Sequence, residues 1–117
     1  MWRTLGEFSL HAVPETSRAA QRVAAIVHQL SVPPEFVERI GAAIARAMLN
    51  VTRRDDTRQT VSLVSIRVMV SADLAVGHSE RGWGFFLISR MRRNRHDEPT
   101  SAYQIIELFL YPEGLST

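Results

Sequence analysis

Cysteine is absent from the 117 residues, which excludes disulfides, thiolate nucleophiles and cysteine-ligated zinc. Lysine is absent as well. All fourteen basic residues are arginine, so neither Schiff-base chemistry nor the lysine of a P-loop can be built here. No apolar run approaches the length of a membrane span, and Met1 to Glu7 lacks the hydrophobic region of a signal peptide, so a soluble protein in the cytoplasm, without a membrane partner, is expected. The formal net charge is only +2, too small to imply nucleic acid by itself, although the pI is near 9.9. Histidine is sparse: His11, His28, His78 and His96 show no ligand spacing, which gives a metal site among them little support. Ser79 has neither a glycine elbow nor a histidine partner at a recognisable spacing, which argues against a hydrolase.

What is present is an ordinary globular balance, 45% hydrophobic and 22% charged, which argues against long disorder. The length suits one domain spanning 1–117. The most informative stretch runs from Arg39 to Arg54, where Ile40, Ile44, Ala47, Met48 and Val51 recur at the spacing that gives a helix one apolar face. Arg46 and Asn50 stack one turn apart along one side of that helix, with Arg53 and Arg54 a turn further on. Such a stripe either faces solvent or lines a site.

Around this helix the chain falls into order. Phe8, Leu10 and Ala12 alternate with Glu7, Ser9 and His11, the period of a half-buried strand. Pro14 to Ser17 opens a first helix in which Ala20, Val23, Val27 and Leu30 mark the buried face, and Pro33 and Pro34 separate it from the second, Pro34 to Arg54. Gln59 to Ser71 is rich in β-branched residues and long for one strand; it is either a single strand or a tight hairpin, for which no turn residue gives support. Ala72 to Arg81 reads as a loop, Phe85 to Arg93 as a third helix, Asn94 to Ser101 as a connector and Tyr103 to Tyr111 as the last strand. The order β-α-α-β-loop-α-β predicts an α+β fold: a two-layer α/β sandwich with the helices on one face of a mostly antiparallel sheet. Val61, Leu63, Ile105 and Leu110 are expected in its core.

Several features taken together resemble the GHKL (histidine-kinase-like) ATPase superfamily and, within it, the short bacterial anti-sigma factor serine kinases. One is the element order, with a long helix following an opening strand and helix. Another is that helix itself: the family carries E-A-x-x-N-A-x-x-x-H there, and the matching run is Arg46-Ala47-Met48-Leu49-Asn50-Val51. A third is R-G-W-G-F-F-L-I-S-R-M at Arg81 to Met91, which looks like the second glycine box opening a helix beside the nucleotide phosphates. The closing Ile105 to Leu110 looks like the family's last strand. The resemblance implies a reduced Bergerat-like fold and a nucleotide site formed by Asn50, Asp73, Gly77, Gly82 and Gly84, with Asn50 as the magnesium ligand.

The departures bear on activity. Arg46 stands where the family has its presumed general base, Ala75 replaces the first glycine of the box Asp73-Leu74-Ala75-Val76-Gly77, and only four residues lie between Gly77 and Gly82, where relatives carry a lid. Guanidinium cannot accept a proton. The resemblance with these departures leads to a catalytically degenerate anti-sigma-factor-like protein in bacterial transcription regulation, with no catalytic residue and no cofactor expected. Its partner would be a protein of the sigma-factor or anti-sigma-antagonist type, and a second copy of the chain is a further candidate. Two alternatives stand beside it. One is an active serine/threonine protein kinase that uses ATP and magnesium. The other is a nucleic-acid-binding domain using Arg90, Arg92, Arg93 and Arg95, a cluster beside His96 that otherwise reads as a solvated helix end. Asn50 either braces neighbouring backbone or is a vestigial ligand; Trp83 either stacks on a base or belongs to a core or an interface.

Overall fold

A computed structural model describes residues 1–11, 16–53, 60–71, 82–93 and 101–113. It contains β1 (Trp2–His11), α1 (Thr16–Val27), α2 (Pro34–Arg53), β2 (Thr60–Ser71), β3 (Trp83–Arg93) and β4 (Ser101–Pro112). The four strands form one mixed sheet in the order β1-β2-β4-β3. β1 runs antiparallel to β2 and β3 antiparallel to β4, while the central pair, β2 and β4, is parallel. The fold is α+β, with α1 and α2 packed on one face of the sheet.

Both helices form where apolar residues return at helical spacing. Phe36, Ile40, Ile44 and Met48 are four residues apart, so they make a single stripe along α2, and all are buried. Ala19, Val23 and Val27 do the same for α1. Pro33 caps α2, its carbonyl accepting hydrogen bonds from the N–H groups of Phe36 and Val37, and Pro34 takes the first helical position, where a missing N–H costs nothing. α1 ends at Val27 rather than continuing to Leu30. The N–H groups of Gln29 and Leu30 instead reach back three residues to Ile26 and Val27, and this tighter turn still tucks Leu30 against the core.

The sheet answers with alternate residues. Phe8 and Leu10 of β1, Val64, Ile66, Val68 and Val70 of β2, and Ile106, Leu108 and Leu110 of β4 are buried under the helices. Register ties these positions together: Phe8 opposes Ile66, which opposes Ile106. Of the four residues expected in the core, Leu110 is fully buried, and the side chain of Val61 lies outside the described residues. Leu63 and Ile105 are corrected. Both sit on the opposite pleat, Leu63 37% exposed and Ile105 half-buried, because a one-residue change of phase moves a strand side chain to the other face.

The larger correction concerns Phe85 to Arg93, which is β3 and not a helix. Trp83, Phe85, Leu87 and Met91 face the helices, while Phe86, Ile88, Arg90 and Arg92 face the other way. The run F-F-L-I conceals that alternation because both faces are apolar at this end of the strand. Gln59 to Ser71 is a single strand over Thr60–Ser71, with a register irregularity between Val61 and Leu63 and no hairpin.

β1 carries an irregularity between Thr4 and Gly6, after which Gly6 pairs with Val68 and faces α1. A Cβ at Gly6 would stand 3.0–3.3 Å from three side-chain carbons of Ile26, so the glycine lets strand and helix approach closely here. Gly6→Val is expected to destabilise the fold by about 1–3 kcal/mol in urea titration through overpacking. In the Ile26→Ala background the penalty should fall by about 1 kcal/mol or more. Additive effects of the two substitutions would show that this contact is not what limits position 6.

Candidate functional site

The residues that the resemblance gathers into a nucleotide site can be placed one by one. Arg46 and Asn50 lie on α2, both exposed, on the side turned away from the buried Ile44 and Met48. Adjacent turns bring their Cβ atoms to about 5–6 Å, so a fixed positive charge neighbours the Asn50 amide. Asp73, Ala75 and Gly77 lie outside the described residues, as do Ser79 and the lid positions His78 to Arg81.

Gly82 and Gly84 do not open a helix; they lead into β3. Gly82 has φ +102°, a conformation that glycine adopts freely, and its carbonyl accepts a 2.9 Å hydrogen bond from the N–H of Glu113. Gly84 pairs with Tyr111, whose ring lies over it: a Cβ there would stand 2.5 Å from the ring carbons Cε2 and Cζ. The close approach this glycine permits is therefore filled by an aromatic side chain. Trp83 between the two glycines is 6% exposed and belongs to the core, 6.1 Å from Phe36 between ring centres.

The arginine cluster is likewise not a helix end. Arg90 and Arg92 project from β3 on the face away from the helices, and Arg90 donates a 2.7 Å hydrogen bond to a carboxylate oxygen of Glu107. Arg93 closes the strand, and Arg95 and His96 lie outside the described residues.

That sheet face carries what the sequence did not disclose. At one end Phe86 and Phe109 stack with centroids 4.7 Å apart, and Trp2 meets Phe109 at 5.0 Å and Phe86 at 5.9 Å, both edge-on. Tyr111 extends the group, 6.2 Å from Phe86, and Met69 pairs with Phe109 in register. Trp2 remains 40% exposed and Phe86 42%. Beyond the aromatics runs a row of charges. Glu7 opposes Arg67, which opposes Glu107, and Arg67 donates to Glu7 at 3.1 Å while Arg90 reaches Glu107 from β3.

Among the described residues no helix is long and apolar enough to cross a membrane, and no group of three His, Asp or Glu residues is placed to hold a metal ion. Set against protein-family models, curated proteins and solved structures, the chain matches none of them.

Proposed function

We propose that the chain is a catalytically degenerate relative of the anti-sigma factor kinases, acting as a protein-binding module in bacterial transcription regulation. The observation that carries the reading is the placement of Arg46 one helical turn from Asn50 on the exposed side of α2. At about 4 Å, and with an effective dielectric constant near 20, a guanidinium opposes each unit of metal charge by roughly 4 kcal/mol, more than one amide ligand returns. Gly84 adds to this, since Tyr111 occupies the space in which a phosphate would approach the backbone. These residues do not fit magnesium and ATP in the manner of the active enzymes. The partner in this reading is a sigma factor or an antagonist of anti-sigma type.

Calorimetric titration tests the reading. Adding magnesium and ATP to the protein at micromolar concentration is expected to give no binding heat, and a phosphate-release assay no hydrolysis. A one-site isotherm of micromolar affinity would overturn the degenerate reading in favour of an ATP-dependent serine/threonine kinase. Weak binding that strengthens when magnesium is omitted would mean that Arg46 holds phosphate directly, in place of the metal. The nucleic-acid reading is disfavoured by the Arg90–Glu107 pair, which neutralises one cation of the proposed patch.

A further inference from the structure

We propose that two copies of this chain associate through the sheet face that α1 and α2 leave uncovered, about a two-fold axis lying in the plane of the interface and parallel to the strands. The argument rests on the order of charges across that face. Reading from β1 through β2 and β4 to β3, the side chains are Glu7, Arg67, Glu107 and Arg90, a row of alternating sign held at one level by the register and by the reach of Arg90 to Glu107.

A two-fold axis parallel to the strands reverses the left-to-right order of the facing copy. Each Glu7 then stands over the partner's Arg90, and each Arg67 over the partner's Glu107, so all four positions meet the opposite charge. The same operation leaves the two ends of the strands where they were, so the aromatic ends, Trp2 and Phe86 with Phe109, meet each other. An axis across the strands would do the reverse: it would set Glu7 on Glu7 and Arg67 on Arg67, and lay the aromatic end against Tyr103 and Arg92. The charge row therefore selects one of the two in-plane orientations. An isologous contact of this kind closes at two subunits.

The face is also large enough. Four strands about 4.8 Å apart, with about ten residues each rising about 3.3 Å, present a flat area of roughly 600 Å² per copy, or roughly 1,200 Å² for the pair, the lower bound of stable specific interfaces. Exposed Trp2, Phe86 and Ile88 lie within it, with aromatic anchors beside a polar row.

Sedimentation velocity on the intact chain, from low to high micromolar concentration, tests the proposal, and a monomer–dimer equilibrium is expected. Glu7 and Arg90 provide the orientation-specific variants, because their side chains are 58% and 54% exposed, sit on opposite edge strands and pair within one copy with different residues, Arg67 and Glu107. Glu7→Arg should weaken dimerisation by about tenfold or more. Adding Arg90→Glu to it should restore most of that loss, and circular dichroism should show both variants folded. A chain that stays monomeric throughout overturns the proposal, leaving the face to a different protein. So does a dimer indifferent to Glu7→Arg, or one that Arg90→Glu fails to rescue.

Discussion

Trp83→Ala is expected to cost about 3–5 kcal/mol of folding stability, the range for truncating a large buried aromatic. The indole is almost fully enclosed, with Phe36 of α2 beside it and Phe85 two positions along β3 also reaching Phe36, at 5.8 Å. Removing it opens a void between the start of α2 and the edge of the sheet, where an edge strand has neighbours on only one side to close the gap. Urea titration with intrinsic fluorescence from Trp2, or with circular dichroism, measures the loss. A tryptophan whose purpose was to stack on a ligand would be nearly dispensable for folding, so a change below about 1 kcal/mol would return Trp83 to the list of candidate binding residues.

Ile44→Ala should be comparably severe, about 2–5 kcal/mol. Ile44 occupies the middle of the buried stripe of α2, between Ile40 and Met48, and is fully enclosed by the sheet. Arg46→Gln, two residues away on the same helix but exposed, should stay within about 0.5 kcal/mol of the parent. The contrast separates the two sides of α2: one holds the fold together, and the other is available for contacts whose loss appears in binding alone. Equal sensitivity at the two positions would mean that Arg46 is braced by the fold and is not poised for a ligand.

Much of this architecture could be read from the residues because most elements carry a single clear period. Val23 and Val27, and the stripe from Phe36 to Met48, announce helices; Phe8 and Leu10 announce the later half of β1. The earlier half was obscured by the irregularity between Thr4 and Gly6, which breaks the alternation of β1 in mid-strand. β3 was obscured for a different reason. Its outer face is apolar at Phe86 and Ile88, since that face gathers aromatics from three strands, and a run apolar on both faces has no visible period of two. Leu63 and Ile105 read as core residues for the same reason.

Of the candidate site, the stacking of Arg46 on Asn50 follows from their spacing alone. The pairs Glu7–Arg67 and Arg90–Glu107 do not, because each depends on which strands become neighbours. Strand order is a property of the assembled sheet. The Tyr111 ring over Gly84 belongs to the same class, since a glycine flanked by aromatics looks alike in sequence whether a phosphate or a side chain fills the space above it.

The strand order also sets a timetable for folding. Among the described residues β1 pairs with β2 alone, and Glu7 and Arg67 are sixty residues apart in the chain, with both helices between them. On the ribosome the first strand emerges with Trp2, Phe8 and Leu10 uncovered and must wait for two helices and another strand before it can pair. β2 in turn needs β4, its parallel neighbour and the last of the described elements in chain order. Among the described residues, α1 with α2, β3 with β4 and, more lightly, β1 with α1 join elements adjacent in the chain. Contacts so remote in sequence predict slow folding for a domain of this size.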